Sequence, residues 1–248
     1  MLILTFKYAP RGYRTTYTAA HVNILFSAVQ RNYPRLSRFL CITDDPTGIK
    51  CETLPLWSAH RQLLNPSHST ARPNCYPRLR CFGLDFAELI GAEEFTWLDL
   101  DTAIVGDITP VVERPEDLVI FDAKGDGRYQ GSIVKHRCGT RPQLWSDFDP
   151  VKSPQATVKA GLKGSDQAWI RLKCPGEAVW TKKDGVQSFM QLIPARKDRQ
   201  LHRHEPKWPA PRDGSLPEGT RIVSFAGGSK PWDQLVMQRS PWLHEHYR

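Results

Sequence analysis

The first 43 residues run through a β-type segment, a helical segment and a second β-type segment, and this order constrains the fold more than any other feature. Leu2–Tyr8 is apolar and β-favouring, and it predicts a strand, as does Phe39–Thr43. Thr15 or Thr16 can cap a helix that runs to about Arg31, with one apolar face formed by Val22, Leu25, Phe26 and Val29. A strand, a helix and a strand at this spacing predict a βαβ unit, which joins parallel strands.

Later segments continue the alternation. Tyr76–Leu89 and Asp166–Leu172 have helical spacing, and Ser165 can cap the second helix. Trp57–Asn74 and residues 194–219, which hold five prolines, predict loops. Further strands are predicted at Cys51–Leu56, Phe95–Leu98, Leu118–Phe121, Ser132–Lys135, Val179–Trp180, Ser188–Ile193 and Arg221–Phe225. The pattern predicts an α/β fold with a mixed, mainly parallel sheet flanked by helices and an irregular, basic C-terminal region.

Composition and charge narrow the classes of protein. The 248 residues are 40% hydrophobic and 24% charged, which is typical of a globular chain. No apolar run approaches the roughly 20 residues that span a bilayer, and the N-terminus lacks a signal-peptide pattern, so we expect a cytoplasmic protein. The net charge is +8, divided into −1 over residues 1–124 and +9 over residues 125–248. A basic second half indicates an anionic ligand, or simply a soluble surface.

The most informative motif is Asp99-Leu100-Asp101, which directly follows the apolar strand Phe95–Leu98. Side chains alternate along an extended chain, so both carboxylates are expected to point the same way. Two such carboxylates stay charged cheaply only beside a cation, and hard oxygen ligands suit Mg²⁺ or Mn²⁺. Residues 85–122 hold eleven acidic residues and one basic residue, which also favours a cation. The motif predicts a metal site; the alternative is an exposed turn.

Three weaker motifs accompany it. In Phe225–Trp232, two glycines let the backbone approach a phosphate that Lys230 can neutralise. In Gly164–Trp169, an aspartate and a glutamine at a helix start can bind sugar hydroxyls. Arg78, near another helix start, can contact a phosphate with its guanidinium group. Taken singly, these motifs are equally explained by a turn, a helix cap and a solvated arginine.

In this order the motifs resemble the nucleotide-sugar glycosyltransferases of the GT-A fold, and within them the glycosyltransferase family 8 group of glycogenin and bacterial galactosyltransferases. The resemblance covers most of the chain. It rests on the first strand, Thr43-Asp44-Asp45, Tyr76-x-Arg78-Leu79, Leu98-Asp99-Leu100-Asp101, Asp166-Gln167 and Gly227-x-x-Lys230-Pro231-Trp232. It implies one glycosyltransferase domain over residues 1–248, with a nucleotide-sugar-binding half at 1–125 and an acceptor-side half at 126–248.

The resemblance also implies roles for individual residues. Asp99 and Asp101 would hold Mn²⁺ or Mg²⁺ against the diphosphate of the donor. Asp166 and Gln167 would be the catalytic pair, facing the donor sugar near its anomeric carbon. The donor and its phosphates would be bound by Tyr8, Asp44, Arg78, Gly227 and Lys230.

Two positions depart from the family pattern. The family usually has a metal-binding histidine just before the final glycine, where this chain has Phe225-Ala226-Gly227. It often has an aspartate at the end of the first strand, where this chain has Lys7-Tyr8. The first departure leaves the metal site with two carboxylates, and the second leaves base selectivity open.

The predicted reaction is transfer of a hexose from a nucleoside diphosphate sugar, with UDP as the first choice, and the family resembled retains anomeric configuration. Residues 182–212 hold eight basic and three acidic residues, with His202, His204, Trp180 and Trp208 nearby. Basic residues among aromatics suit a nucleic acid, so one predicted acceptor is a hydroxymethylated pyrimidine in DNA. The other is a cell-surface glycan or lipid-linked sugar.

Two functions outside transferase chemistry remain open at this point. A metal-dependent nuclease or phosphohydrolase would use Asp99 and Asp101, together with further carboxylates for which the sequence shows no recognisable set. A non-catalytic module that binds sugar nucleotides would be consistent with the missing histidine.

Overall fold

In a computed structural model of the chain, the described residues are 1–9, 12, 15–66, 72–192 and 214–248, and the side chains of residues 72 and 73 are not described. The strands are β1 Leu2–Lys7, β2 Arg38–Thr43, β3 Glu52–Pro55, β4 Leu64–Asn65, β5 Arg72–Pro73, β6 Glu94–Leu98, β7 Thr102–Ile104, β8 Leu118–Phe121, β9 Gln130–Arg137, β10 Ala178–Trp180, β11 Val186–Ser188 and β12 Ile222–Ser224. The α-helices are α1 Ala19–Asn32, α2 Phe86–Ile90, α3 Thr109–Val112, α4 Gln143–Ser146, α5 Lys152–Lys159, α6 Asp166–Lys173, α7 Phe189–Leu192, α8 Gln234–Arg239 and α9 Trp242–His246. Tyr76–Phe82 and Lys182–Asp184 are 3₁₀ helices.

The main sheet confirms the predicted α/β class. In the described chain it has seven strands in the order β10-β8-β9-β6-β1-β2-β3. Strands β6, β1, β2 and β3 run parallel, and so do β8 and β10, whereas β9 is antiparallel to both of its neighbours. The sheet is therefore mixed and mainly parallel, as the sequence predicts.

The alternation of side chains along the strands divides the core between the two faces of this sheet. Leu2 and Leu4 of β1 pack on one face with Trp97, whereas Ile3 packs on the other with Leu98. Helix α1 covers the second face with an apolar stripe in which Val22, Leu25 and Val29 are fully buried. Strands buried on both faces read as continuous apolar runs, which is why the sequence identifies them well.

A second, smaller sheet positions the C-terminal motif. It has the order β11-β12-β7, with β12 antiparallel to β7 and Ser224 opposite Thr102. This register brings the residues after β12 beside the residues before β7, and the Phe225 N–H donates to the Asp101 carbonyl at 3.0 Å. The sequence analysis did not predict β7, because its three residues merge with the preceding acidic motif.

Several predicted boundaries are wrong, each for a local reason. Helix α1 begins after Thr18, not Thr15 or Thr16, because the Thr18 N–H donates to Nδ1 of His21 at 2.9 Å and closes a capping box. The strand predicted at Ser188–Ile193 ends at Ser188 and gives way to α7. A helical turn there places Phe189 in the core, stacked on Phe225 with ring centroids 4.4 Å apart.

Two further segments differ from prediction. The helix predicted at Tyr76–Leu89 is broken at Gly83, which has an extended backbone, so that a 3₁₀ helix precedes α2. A Cβ at Gly83 would lie 2.2 Å from Nη1 of Arg80, so any other residue there would have to displace that guanidinium. The loop predicted at Trp57–Asn74 contains the short paired strands β4 and β5. Of the loop predicted at 194–219, residues 194–213 lie outside the described residues.

Two other findings concern cysteines and membranes. All six cysteines are free thiols, and Cys41, Cys81 and Cys174 are buried. Among the described residues, no helix combines the length and the apolar character needed to cross a bilayer.

Candidate active site

The candidate site lies where several chain segments meet at one edge of the main sheet. Strand β6 ends at Leu98, and its antiparallel neighbour β9 begins at Gln130, so the end of one strand lies beside the start of the other. The Asp99 N–H accordingly donates to the Ser132 carbonyl at 2.8 Å. Carboxyl ends of parallel strands are the usual ligand-binding edge of α/β sheets. The edge therefore collects polar groups from segments distant in sequence.

Asp99 and Asp101 share a turn between β6 and β7, not an extended segment. Leu100, between them, is buried in the core, and the two carboxylates line one cavity of about 260 Å³. The prediction that they face the same way is correct, although the reason given for it is wrong. The buried leucine anchors the turn and leaves the aspartates on the cavity side.

Arg78 lies at the centre of the cavity wall and is 3% exposed. Its Nη1 atom donates to Oδ1 of Asp99 at 2.5 Å and to the Gly131 carbonyl at 2.9 Å. Its Nε atom lies 2.7 Å from Oδ2 of Asp166, which is itself 1% exposed. The guanidinium also covers the Trp97 ring, 5.3 Å from its centroid. Arg78 is thus an internal cation shared by two carboxylates, and not the solvated arginine of the alternative interpretation.

Burial and the neighbouring charges both shift the pKa values of this cluster. Burial alone would lower the pKa of Arg78, but Asp166 and Asp99 outweigh it and hold that pKa well above its usual value. Burial raises the pKa of Asp99; Arg78 opposes this rise, and the nearby carboxylates of Asp101 and Asp166 add to it. A carboxyl group whose pKa is raised in a cavity, beside a specific charged partner, is a mark of a functional site.

Gly131 makes this arrangement possible. A Cβ at this position would lie 3.0 Å from Nη2 of Arg78 and 3.4 Å from Oδ2 of Asp166. The absence of a side chain at residue 131 thus leaves room for the arginine and its carboxylate partner. This glycine was not singled out in the sequence analysis.

Lys230 and Tyr17 hold the second aspartate. The Lys230 ammonium, on a side chain that is 6% exposed, forms an ion pair with Oδ2 of Asp101. The Tyr17 hydroxyl donates to the same oxygen at 3.2 Å. Lys230 lies behind Asp101 and does not line the cavity, so the Asp101 carboxylate stands between the ammonium group and the cavity.

Asp166 and Gln167 enter the cavity from the start of α6. The Gly131 N–H donates to Oε1 of Gln167 at 2.9 Å, which fixes the amide and leaves its Nε2 atom 3.5 Å from the Lys163 carbonyl. Ser165 occupies the cap position as predicted, but it makes no capping bond. Its hydroxyl instead donates to Oδ1 of Asp166 at 3.1 Å.

The remaining predicted residues lie further out. Gly227 lines the cavity, with a positive φ of 103° that favours glycine. Tyr8 lines a smaller adjoining cavity, which also contacts Tyr17 and Asp99. Asp44 lines neither cavity; its carboxylate pairs with Arg61 at the end of β2. The fold therefore gathers Asp99, Asp101, Arg78, Asp166, Gln167 and Gly227 into one cavity and leaves Tyr8, Asp44 and Lys230 at its margins.

Sequence reasoning missed seven residues that line the cavity: Tyr17, Asn74, Cys75, Gln130, Gly131, Ser132 and Lys163. One pattern carried a usable indication. Gln130 and Ser132 are polar residues two positions apart at the start of β9, and the alternation of side chains along a strand puts them on one face. Tyr17 gave none, because a tyrosine near a helix start is ordinary.

The carboxylates fit a divalent cation with a partly open coordination shell. The Oδ2 atom of Asp99 and the Oδ1 atom of Asp101 form no hydrogen bond or ion pair within the described chain, since the partners of each residue contact its other oxygen. No third His, Cys, Asp or Glu completes a metal-binding cluster among the residues that are described. Mg²⁺ is commonly held by one or two carboxylates, with water and substrate phosphates as its other ligands. Two free carboxylate oxygens match that pattern.

The basic region predicted to bind DNA is only partly described. His202, His204 and Trp208 lie outside the described residues. Trp180 is fully buried, and its indole N–H donates to the Val111 carbonyl at 3.0 Å. It belongs to the core and cannot stack on a base, so that part of the prediction is wrong.

Comparison with protein-family profiles finds no match, and comparison with curated proteins finds no relative. Solved structures do match. A galactosyltransferase, LgtC, in complex with donor and acceptor sugar analogues, has a TM-score of 0.57 and 15% identity; the match covers 100% of this chain and 97% of that one.

Two other glycosyltransferases are similar over almost the whole of this chain. GlyE of Streptococcus pneumoniae has a TM-score of 0.53 and 12% identity over 98% of this chain and 63% of its own. The bifunctional WbbM has a TM-score of 0.52 and 10% identity over 98% of this chain and 50% of its own. At such low identity the likeness concerns the fold. It confirms that this chain has the GT-A fold of nucleotide-sugar glycosyltransferases.

Proposed function

We propose that the protein is a glycosyltransferase that moves a hexose from a nucleoside diphosphate sugar, with UDP as the first choice, to an acceptor hydroxyl. The observation that carries this proposal is the cavity at the sheet edge, where Asp99 and Asp101 each present a free carboxylate oxygen beside buried cations. The GT-A fold adds support, because its solved members include the sugar transferases described above.

On the phosphate side, Asp99 and Asp101 would hold Mg²⁺ or Mn²⁺ through their free oxygens. Such an ion would supply Lewis-acid stabilisation of the charge that develops on the diphosphate. Arg78 and Lys230 hold the two carboxylates in place and add positive charge to the same region. Gly227 lets the backbone approach a phosphate closely. Tyr8, in the adjoining cavity, and Asp44, at its margin, are proposed to lie near the nucleoside.

On the sugar side, Asp166 and Gln167 are proposed to face the donor hexose. The bond between the anomeric carbon and the diphosphate oxygen breaks, and its electron pair leaves with the diphosphate. The acceptor oxygen forms the new bond, and its proton passes to the departing phosphate oxygen on the same face. Asp166 stabilises the positive charge that develops on the sugar, and Gln167 orients it. Same-face attack retains anomeric configuration, and no carboxylate of the cavity is needed as a nucleophile.

For the acceptor, we carry forward the two classes predicted from sequence: a hydroxymethylated pyrimidine in DNA, and a cell-surface glycan or lipid-linked sugar. A nuclease function is disfavoured, because both oxygens of Asp166 are engaged by Arg78 and Ser165, and phosphodiester cleavage by metal ions generally uses more carboxylates than the two that remain.

The test is release of nucleoside diphosphate from a panel of nucleotide sugars, with Mg²⁺, Mn²⁺ or EDTA. Parallel reactions contain plain DNA, hydroxymethylpyrimidine DNA or simple glycosides. We expect metal-dependent release from one donor, with loss of turnover in Asp166→Ala. Donor binding without any release or transfer would contradict catalysis and identify a binding module. Phosphodiester cleavage without any donor would identify a nuclease.

A further inference from the structure

A second cavity, which we call the basic cavity, adjoins the aspartate cavity. Its volume is about 290 Å³, close to that of its neighbour, and the two share Gln130, Lys163 and Gln167 in their walls. Four basic side chains and no acidic one line it: Lys124, Arg128, Lys163 and Arg171. The shared wall matters because Gln167 is proposed to face the donor sugar. A molecule in the basic cavity would lie next to the reacting end of the donor.

Most of these cations lack an ion-pair partner. Arg128 is paired with Asp126 at 3.0 Å. Within the described chain, Lys124, Lys163 and Arg171 form no ion pair. Like charges that converge on a concave surface raise its potential and attract anions. The neighbouring cavity differs: apart from the shared Lys163, the cation in its wall is Arg78, which is bound to Asp99 and Asp166.

The loop that carries Lys124 and Arg128 is built around a buried carboxylate. Asp122, which is 3% exposed, accepts backbone N–H bonds from Lys124, Gly125 and Gly127 at distances between 2.7 and 3.2 Å. Three such bonds fix the path of the loop beyond β8. Lys124 and Arg128 are therefore presented from an ordered backbone.

Arg171 is likewise held in place. Its guanidinium lies over the ring of Tyr129, 5.3 Å from the centroid. Tyr129 is 5% exposed, and its hydroxyl donates to the Cys174 carbonyl at 3.2 Å and accepts from the Glu177 N–H at 2.9 Å. These two hydrogen bonds hold the Tyr129 ring in place. A stacked guanidinium keeps its N–H edges available for the oxygen atoms of an anion.

We propose that the basic cavity is the acceptor site and that the acceptor is a sugar carrying a phosphate group. This inference rests on the proposed transferase function. The cavity is large enough for one phosphorylated sugar unit, with Lys124, Lys163 and Arg171 around the phosphate. A bounded cavity suits such a unit better than it suits DNA, which proteins bind along a groove that follows several phosphates.

The first experiment measures binding by calorimetry. The probes are glucose, galactose and mannose and their 6-phosphates, with the protein saturated with UDP and Mg²⁺ so that the phosphate side of the aspartate cavity is filled. We expect at least one hexose phosphate to bind roughly tenfold or more tightly than its parent sugar, because charge-assisted hydrogen bonds are lost without the phosphate. Lys124→Gln combined with Arg171→Gln should remove that preference. Lys152→Gln, an exposed lysine at the start of α5, is the matched control and should keep it.

The second experiment compares transfer to phosphorylated and neutral acceptors. The ratio of their kcat/KM values should fall roughly tenfold or more in the double variant and in Lys163→Gln. Equal binding of neutral and phosphorylated sugars, or a preference that survives both variants, would overturn the inference. Tighter binding of a single-stranded oligonucleotide through the same residues would reassign the site to nucleic acid. Failure of donor turnover, with the phosphate preference intact, would overturn the proposed function and leave the anion site standing.

Discussion

The two adjoining cavities have similar volumes but differ in whether their charged side chains form ion pairs. At the aspartate cavity, Arg78 in the wall and Lys230 behind it are buried and bound to Asp99, Asp166 and Asp101. In the basic cavity, Lys124, Lys163 and Arg171 stand at the surface of the cavity with no ion pair in the described chain. Ion pairs at the aspartate cavity fix the positions of its carboxylates, which can then bind a cation or stabilise positive charge that develops on a substrate. Unpaired cations are left for an external anion. Charge pairing, more than charge content, therefore separates a preorganised reaction site from a binding surface.

The largest expected effect is on folding. Arg78→Gln removes the cation that neutralises Asp166, which is 1% exposed. We expect the free energy of unfolding to fall by about 3–5 kcal/mol, because a buried carboxylate is left without its partner. Urea denaturation measures the change. Arg171→Gln, in the basic cavity, should change it by less than about 0.5 kcal/mol. Equal losses in the two variants would remove the distinction between the cavities.

The second effect is on catalysis. Asp101→Asn keeps the shape of the side chain but removes the charge that a metal and Lys230 both require. We expect turnover of the nucleotide sugar to fall roughly 100-fold or more, the loss typical when one electrostatic contact to the reacting charge is removed. Rates of diphosphate release over a range of Mn²⁺ concentrations measure it. Asp147→Asn, which replaces a carboxylate paired with Lys173 on the outer surface, is the control. A comparable loss in the control would show that the effect is not specific to the site.

The third effect concerns His136, a titratable group in the core that has no charged partner of opposite sign in the described chain. His136 is fully buried against Phe82, and its Nδ1 atom has no hydrogen-bond partner in the described chain. Burial, together with Arg141 and Lys135, lowers the pKa of His136 to about 3, against about 6.5 in the unfolded chain. Between these values the unfolded chain binds one more proton. Stability is therefore complete above pH 6.5 and is lost as the pH falls towards 3.

This loss amounts to about 1.4 kcal/mol per pH unit for one proton. Between pH 6.5 and pH 5, wild-type protein should lose about 2 kcal/mol more stability than His136→Gln, which does not titrate. Denaturant titrations of both proteins at the two pH values measure the difference. Parallel losses would mean that His136 is protonated in the folded protein as readily as in the unfolded chain.

The smallest effect belongs to the basic cavity. Lys124→Gln together with Lys163→Gln removes two like charges from one wall, so we expect a gain of a few tenths of a kcal/mol at low ionic strength. The gain should disappear at about 1 M salt, where the Debye length is near 3 Å. Melting temperatures at the two ionic strengths test this. A clear loss of stability in the variant would show that these lysines support the fold and would weaken their assignment to a ligand.

Periodicity predicted most of the main sheet. Strands β1, β2, β6 and β8 are apolar on both faces, so their composition alone separates them from helices and loops. Short elements were less accessible, because β7, β11 and α7 have three or four residues each and carry too little pattern. The helix predicted at Tyr76–Leu89 is interrupted at Gly83, where the backbone is extended.

For the candidate site, the sequence identified the residues but not the contacts between them. Asp99, Asp101, Asp166, Gln167, Arg78 and Gly227 were all identified, and all line one cavity. The sharing of Arg78 between two carboxylates, the pairing of Lys230 with Asp101 and the contact of Tyr17 were not. Those contacts join residues up to 129 positions apart, and sequence spacing carries no information about such distances.

The sequence by itself determined the α/β class and the identity of the chemical groups, because apolar alternation and residue type are local properties of the chain. Only the tertiary structure decided which charges neutralise one another. The antiparallel entry of β9 beside β6 places Gly131 against Arg78, and the register of β12 on β7 places Lys230 behind Asp101. Pairing depends on distances of a few ångströms between segments that are far apart in sequence, and folding alone sets those distances.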